Sequence, residues 1–163
     1  MRTWTEVSSP LGPLTCVVDD GFLIRVAMKD QAHLPELSTF GVQGELDPQI
    51  EQQLAQYFAR DRRVFALPIA PLGTDFQREV WSSLEEIPYG ETTTYGAIAE
   101  KIGRPRAVRA VGLAVGRNPL SVIVPCHRVL GANGSLTGYS GGLDRKRWLL
   151  DFEQPGSLEL SLV

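Results

Sequence analysis

Proline and glycine residues at positions 68–73 divide the chain into two parts with different periodicities. Pro68, Pro71 and Gly73 stand close together, and such clusters interrupt regular secondary structure. The part before them has mostly the pattern of strands, and the part after them has mostly the pattern of helices. Because 163 residues allow one ordinary core or two small ones, we expect two domains, residues 1–72 and residues 73–163.

The first part predicts a small antiparallel sheet with one helix. Apolar runs at residues 13–18 and 22–27 flank Asp19-Asp20-Gly21, which is typical of a hairpin turn. Residues 50–59 carry apolar side chains at helical spacing. A short strand is expected near residues 64–67.

The second part predicts helices joined by short turns. Thr74 and Gln77 have the spacing of a capping box, which marks the start of a helix. Threonines 92–94 precede a helix predicted over about residues 95–102, and Pro105 is expected in the first turn of another that continues to about residue 116. A helix, a short glycine-containing turn and a second helix form the helix-turn-helix pattern.

The rest of the second part predicts one strand, one loop and one helix. Residues 120–124 are apolar and predict a buried strand, which would deliver Cys126 at its end, at the mouth of a pocket. Residues 131–142 are rich in glycine and predict a loop. A final helix is expected over about residues 143–153.

Charge is distributed unevenly, although the net charge of the chain is only −3. Residues 1–91 carry a net charge of −7, residues 92–150 carry +7, and residues 151–163 carry −3. The basic segment contains the predicted helix-turn-helix, and this favours a surface that faces phosphates. Chance clustering of charge is the alternative interpretation.

Other features of composition exclude several classes of protein. No stretch approaches the roughly 20 apolar residues of a membrane-spanning helix, and the N-terminus has no apolar signal-peptide core, so we expect a cytoplasmic protein. Two cysteines, Cys16 and Cys126, are too few for a disulfide framework. With His33, Cys16 also falls short of the four ligands of a structural zinc site, so no metal is expected.

The residues after Pro105 combine small side chains with arginines. Ala107, Ala110, Gly112, Ala114 and Gly116 alternate with basic residues. Small residues let a helix backbone approach another surface closely, and arginines add positive charge. Tight helix packing with solvated arginines and docking onto DNA both fit this pattern.

Cys126 and His127 are the candidate nucleophile and base. A thiol attacks as the thiolate, and a nearby imidazole can take its proton. Adjacent side chains diverge, so a water molecule would bridge them. Glu153 is expected to orient the imidazole, as the third member of a triad does. The alternative is that Cys126 is a small buried apolar residue.

Several motifs in register resemble the O6-alkylguanine-DNA alkyltransferase family. They are RAVG, GRNP, IVPCHRV, TGYSGG and WLL followed by Glu153, in order between about Thr74 and Glu153. The resemblance implies an α/β (α+β) fold, with a small N-terminal antiparallel-sheet domain of ribonuclease-H-like type and a mostly helical C-terminal domain with the helix-turn-helix.

The resemblance also implies catalytic roles. Cys126 matches the alkyl acceptor, His127 the residue that deprotonates it through water, and Glu153 the carboxylate behind that histidine. Asn118 matches the residue that links the DNA-binding helix to the active site. Tyr95 matches the tyrosine that donates toward N3 of the flipped guanine.

Further matches concern the substrate and the DNA. The backbone at Val129 matches an acceptor from the guanine amino group, Ser140 a donor toward O6, and Tyr139 the neighbouring pocket wall. Arg109 matches the arginine that enters the base stack when the damaged nucleotide leaves it. The other residues expected to contact DNA are Arg106, Ala110, Arg117 and Thr94.

The family's activity is direct repair, with irreversible transfer of an alkyl group from O6-alkylguanine in double-stranded DNA to Cys126. It implies a suicide methyltransferase that flips its target base, acts once, needs no cofactor and works as a monomer. Repair of O4-alkylthymine and cooperative assembly on DNA stay open. The alternatives are a non-catalytic binder of alkylated DNA, a regulatory helix-turn-helix protein and a cysteine hydrolase.

Overall fold

The computed structural model describes residues 1–155 and divides the chain into two compact units. The first unit comprises Met1–Leu72 together with Pro119–Ile123. The second comprises Gly73–Asn118 and the chain from Val124 onward. A mixed α/β fold with a small, mainly antiparallel sheet and several helices is thereby confirmed.

Among residues 1–155, no helix has the length and apolar character needed to cross a membrane.

The first unit is built on a four-stranded sheet with the strand order β3-β2-β1-β4. Its elements are β1 (Arg2–Val7), β2 (Leu14–Asp19), β3 (Phe22–Met28), β4 (Val42–Gln43) and helix α1 (Pro48–Phe58). Strands β1, β2 and β3 pair antiparallel, and β4 pairs parallel with β1. A 3-10 turn at Leu37–Phe40 precedes β4.

The hairpin between β2 and β3 is confirmed. Asp19 pairs with Phe22, so the loop consists of Asp20 and Gly21. Both have positive φ angles, of 50° and 84°, which is the backbone form that matches the twist of two-residue hairpins. Aspartate and glycine tolerate it better than other residues.

The strand expected near residues 64–67 is absent, and that prediction was wrong. Residues 64–68 have no regular secondary structure, and only Ile69 forms an isolated bridge, with Leu23. Leu23 donates to the Pro68 carbonyl and accepts from Ala70. Pro68 and Pro71 lack the N–H group that a longer ladder would need.

The second unit contains four helices and one short parallel pair of strands in its described part. Its elements are α2 (Asp75–Leu84), β5 (Thr93–Thr94), α3 (Tyr95–Lys101), α4 (Val108–Gly116), β6 (Val129–Leu130) and α5 (Leu143–Glu153). Helix α4 packs against both α2 and α3. The indole N–H of Trp81 on α2 donates to the Ala114 carbonyl on α4 at 2.8 Å, which ties these two helices together.

The capping signals of the second part are confirmed. Thr74 Oγ1 accepts from the Gln77 backbone at 3.1 Å, and the Gln77 side chain accepts from the Thr74 backbone at 3.0 Å. Thr94 caps α3 by accepting from Ala97. Helices α3 and α4 pack together across a turn in which Gly103 has φ of 77°, so the helix-turn-helix arrangement is present.

The start of α4 differs from the expectation for Pro105. The Ala107 N–H donates to the Arg104 carbonyl and closes a turn, and α4 begins only at Val108. Pro105 therefore occupies the second position of a β-turn, which its fixed φ favours, and lies outside the first helical turn.

The strand expected at residues 120–124 is also wrong. Val122 has φ of 72°, and the Ile123 N–H donates to the Ser121 carbonyl at 2.8 Å, so the chain turns sharply there. Leu120 forms only an isolated bridge to Val26. The apolar run reflects burial, because all five residues are buried, and burial alone does not distinguish a strand from a turn.

We predict that Thr74→Ala lowers the free energy of unfolding by about 1 kcal/mol. The substitution removes the hydroxyl that accepts from the Gln77 N–H at the start of α2. Urea denaturation followed by circular dichroism measures the change. Thr92→Ala is the matched control, because Thr92 is exposed, and an equal loss in both variants would contradict a capping contribution.

Candidate functional site

Cys126 is held in a tight turn. Its N–H donates to the Val124 carbonyl at 2.8 Å across Pro125, and a 3-10 helix follows over Cys126–Arg128. The expected position at the end of a strand is thus wrong, and the position at the mouth of a pocket stays a prediction. Two consecutive turns, around Val122 and Pro125, direct the thiol.

The Cys126 thiol is buried, with 3% of the residue exposed. Burial raises the pKa of this thiol, because a thiolate loses its hydration there. Four interactions act in the opposite direction: hydrogen bonds from Asn118, Tyr139 and the Cys126 backbone, and the positive charge of Lys146. The site therefore disfavours a resting thiolate but offers groups that stabilise one when it forms.

Asn118 connects the end of α4 to the turn that carries Cys126. Its N–H donates to the Val115 carbonyl, and its side-chain Nδ2 donates to the Val124 carbonyl at 2.9 Å. The same side chain is hydrogen-bonded to the thiol. The helix end and the thiol therefore share one buried amide.

His127 and Glu153 form a buried pair. Nε2 of His127 lies 2.9 Å from Oε2 of Glu153, and both side chains are almost fully buried. A carboxylate only accepts hydrogen bonds, so Nε2 must carry the proton and Nδ1 the lone pair. Nδ1 has no hydrogen-bond partner among the protein groups of residues 1–155, which leaves it available as a base.

Arg128 contacts both oxygens of the same carboxylate. Its Nε donates to Oε1 of Glu153 at 2.7 Å and its Nη2 donates to Oε2 at 2.8 Å, while Nη1 donates to the Ile87 carbonyl. This bidentate geometry is the strongest form of an arginine–carboxylate pair. Together with the His127 contact it holds the pKa of Glu153 well below its usual range, despite burial.

Burial and the neighbouring positive charges keep His127 neutral at pH 7. Burial lowers the pKa of its imidazole, the Glu153 contact opposes this, and the positive charges of Arg128 and Lys146 lower the pKa further. Since Arg128 already neutralises Glu153, the carboxylate acts mainly by orienting the imidazole. A neutral imidazole with a free Nδ1 can accept a proton.

Lys146 is the second buried cation of the site. It is fully buried on α5, and its Nζ donates to the carbonyls of Val129 and Thr137, both at 2.7 Å. A longer contact reaches the Gly138 carbonyl at 3.4 Å. The ammonium therefore joins β6 to the glycine-rich loop.

The residues expected to contact the substrate lie around this loop. Tyr95 is the first residue of α3, and its hydroxyl accepts from Thr137 at 3.4 Å. The Tyr139 hydroxyl is buried, and its interaction with the Cys126 thiol lowers the pKa of that thiol. Ser140 is half-buried on the loop. The Val129 carbonyl already accepts from Lys146, and a carbonyl has a second lone pair for another donor.

The residues expected to contact DNA lie on or beside α4. Arg109 and Ala110 are exposed on α4, Arg106 lies in the preceding turn, and Arg117 follows the helix. None of the three arginines makes an ion pair within residues 1–155. Thr94 differs, because its side chain caps α3.

Three residues of interest were missed by sequence reasoning. Arg128 directly follows His127 but was given no role. Lys146 lies three, four and seven residues before Leu149, Leu150 and Glu153, all of which are buried, so helical spacing could have revealed its burial. Leu113 is 69% exposed on α4, where only small and basic residues had been considered.

The second unit is therefore a helix-turn-helix unit that carries a buried thiol beside a histidine–carboxylate pair. A family model described as the DNA-binding domain of 6-O-methylguanine DNA methyltransferase matches residues 75–155. The methylated-DNA–protein-cysteine methyltransferase of Mycolicibacterium paratuberculosis is 47% identical over 98% of this chain and 99% of the relative. That of Methanosarcina acetivorans is 49% identical over 89% and 94%.

Solved structures agree. The crystal structure of the Mycobacterium tuberculosis O6-methylguanine methyltransferase has a TM-score of 0.86 and 44% identity, with 99% of each chain covered. M. tuberculosis OGT in complex with DNA gives the same TM-score at 45% identity, over 93% of this chain and 92% of the other. The chain belongs to the methylated-DNA–protein-cysteine methyltransferase family, and the resemblance drawn from its motifs is confirmed.

We predict that Arg128→Met lowers the free energy of unfolding by about 3 to 5 kcal/mol, because it leaves the buried Glu153 carboxylate without its guanidinium partner. Chemical denaturation measures the loss. Arg147→Met on α5 is the matched control, since Arg147 is exposed. A loss below 1 kcal/mol for Arg128→Met would show that the ion pair contributes little.

Proposed function

We propose that this protein repairs DNA by transferring an alkyl group from O6 of guanine to Sγ of Cys126, once per molecule. The observation that carries the proposal is the chain of contacts at the thiol. Asn118 is hydrogen-bonded to the thiol, and the oriented His127 adjacent in sequence has an unoccupied Nδ1. This is the arrangement that a buried nucleophile needs in order to lose its proton during reaction.

The first step is removal of the thiol proton. Nδ1 of His127 takes the proton, through one bridging water molecule, while Glu153 accepts from Nε2. The imidazole becomes charged only while the reaction proceeds, because burial, and then the positive charges of Arg128 and Lys146, lower its pKa and leave it neutral at rest. The thiolate that forms receives hydrogen bonds from Asn118 and Tyr139.

The second step is displacement at the alkyl carbon. Sγ forms a bond to that carbon as the bond from carbon to O6 breaks, and the electron pair of the broken bond stays on guanine. Donors near the base stabilise the charge that develops there. We assign a donor toward N3 to Tyr95 and a donor toward O6 to Ser140, with the Tyr139 ring as a wall and the Val129 carbonyl as an acceptor from the guanine amino group.

The product explains why one molecule acts only once. The bases and nucleophiles of the site do not cleave a thioether, so the protein alkylated on Cys126 is the end state. The guanine anion takes up one proton at N1, which balances the proton that the thiol gave up through water to His127, and the repaired base returns to the duplex. No cofactor enters this sequence of steps.

Helix α4 is proposed as the element that enters DNA. A base within a duplex cannot present O6 to the thiol and must be extruded. The exposed Arg109 is placed to fill the gap in the stack, and Arg106 and Arg117 to contact phosphates. The small, exposed Ala110 lets the helix backbone lie close to a groove, and the exposed Leu113 offers an apolar contact there.

Incubation with a duplex oligonucleotide that contains O6-methylguanine tests the proposed chemistry. We expect intact-protein mass spectrometry to find a gain of one methyl group per molecule, and peptide mapping to place it on Cys126. Cys126→Ser should gain nothing, and Cys16→Ser is the matched control that should gain one methyl group. Repeated turnover would instead indicate a hydrolase, and DNA binding without any gain would indicate a non-catalytic or regulatory protein.

Arg109→Ala tests the entry of α4 into the stack. We expect the rate of repair of duplex DNA to fall roughly tenfold or more, because extrusion of a base costs a few kcal/mol that the guanidinium helps to offset. The reaction with free O6-methylguanine base should keep its rate. Arg147→Ala controls for the loss of one exposed positive charge, and equal losses on both substrates would contradict the assigned role of Arg109.

A further inference from the structure

Lys146 is a fully buried ammonium whose contacts are all backbone carbonyls. Nζ donates to the carbonyls of Val129 and Thr137 and more weakly to that of Gly138. Three acceptors satisfy its three N–H groups. They do not neutralise its charge.

No carboxylate lies within ion-pair distance of Nζ in the described chain, residues 1–155. The buried carboxylate on the same helix, Glu153, is already paired with Arg128 through two hydrogen bonds. A buried charge without a counter-charge lowers the free energy of unfolding, because the charge has lost its hydration. Such a group is often explained by a function that uses its charge.

The cluster of ionisable groups around Lys146 includes the Cys126 thiol. This cluster takes its members from four elements: Tyr95 from α3, Cys126, His127 and Arg128 from the 3-10 helix, Tyr139 from the glycine-rich loop and Glu153 from α5. Nζ lies 6.0 Å from the centre of the Tyr95 ring. The Val129 carbonyl that accepts from Nζ belongs to the residue whose N–H donates to the Cys126 carbonyl, so the ammonium is anchored beside the 3-10 helix that carries the thiol. Within this set, Cys126 is the group that gains a negative charge in the proposed reaction.

We propose that Lys146 is the counter-charge of the Cys126 thiolate and a positioning residue for the loop that carries Tyr139. The proposal rests on the proposed function, since the thiolate forms in the alkyl-transfer step. Before that step the cluster carries one unbalanced positive charge. Transfer of the thiol proton to His127 leaves the net charge of the cluster unchanged, but it gives the Lys146 ammonium an anionic partner that it lacks at rest. The attraction between ammonium and thiolate therefore exists only during the reaction, where it stabilises the transition state.

The ionisation behaviour of the two groups agrees with this assignment. Burial lowers the pKa of Lys146 to about 8, and the Cys126 thiolate raises it. The ammonium therefore stays protonated at pH 7, where the thiolate would form. Burial and the positive charges of Arg128 and Lys146 disfavour the protonated form of His127, so the imidazolium is a transient charge, while the Lys146 ammonium is present before and after the proton transfer.

Three substitutions separate the charge of Lys146 from its hydrogen bonds. Lys146→Gln keeps N–H donors for the carbonyls but removes the charge, Lys146→Met removes both, and Lys146→Arg keeps both. Lys101→Met is the matched control, because Lys101 is a half-exposed lysine on α3 that pairs with Glu86. Thermal melts establish that each variant is folded, and Lys146→Gln is designed to fold even if Lys146→Met does not.

The readout is the pH midpoint of thiolate formation at Cys126. It is measured by the ultraviolet absorbance of the thiolate, with Cys126→Ser as the blank, and by the rate of iodoacetamide labelling, with peptide mapping to separate Cys126 from Cys16. Neither measurement needs DNA. A protein that fails to accept a methyl group from DNA would therefore refute the proposed function without affecting this test.

Loss of the charge should raise the midpoint by about one pH unit or more in Lys146→Gln and Lys146→Met. At pH 7.5 this corresponds to a roughly tenfold slower labelling of Cys126. Lys146→Arg should lie closer to the wild type, and Lys101→Met should match it. An unchanged midpoint in Lys146→Gln, or a loss of rate by the same factor at every pH, would overturn the proposal and leave Lys146 with a structural role alone.

Discussion

The candidate site in the second unit depends on the hydrogen bonds that the carboxylate of Glu153 accepts. It accepts from Nε2 of His127 and twice from Arg128, and all three side chains are buried. The pair with Arg128 keeps the carboxylate ionised, and the ionised carboxylate fixes the tautomer of His127. Without this interaction, the His127 imidazole would have neither a defined orientation nor a defined protonation state.

The site combines a nucleophile that is unreactive at rest with groups that act during reaction. Burial raises the pKa of Cys126 and lowers that of His127, so thiol and imidazole are both neutral in the resting protein. Under the proposed single transfer, a thiol that reacted with another electrophile would be lost for repair. Low exposure and a protonated resting state favour this, and hydrogen bonds from Asn118 and Tyr139 become strongest once the thiolate exists.

The sequence predicted most elements whose signals are local. The hairpin at Asp20-Gly21, the capping box of Thr74 and Gln77 and the cap at Thr94 all depend on residues within four positions of one another. The failures at residues 64–67 and 120–124 have a different origin. At residues 120–124 the apolar composition reflected burial and not strand formation. In both places the path of the backbone depended on hydrogen bonds to Leu23 and Val26 of β3, and these residues lie far away in the sequence.

For the site, the sequence alone determined the family, through motifs in register, and predicted which residues carry the chemistry. Cys126, His127, Asn118 and Glu153 were identified because their types and order carry that information. Only the tertiary structure decided their electrostatics. That Arg128 shares the carboxylate of Glu153, and that Lys146 lies buried without a carboxylate partner in the described chain, follow from the packing of α5 against the 3-10 helix of Cys126. Burial changes the energy of a charge by several kcal/mol, and the identity of a residue does not reveal its burial.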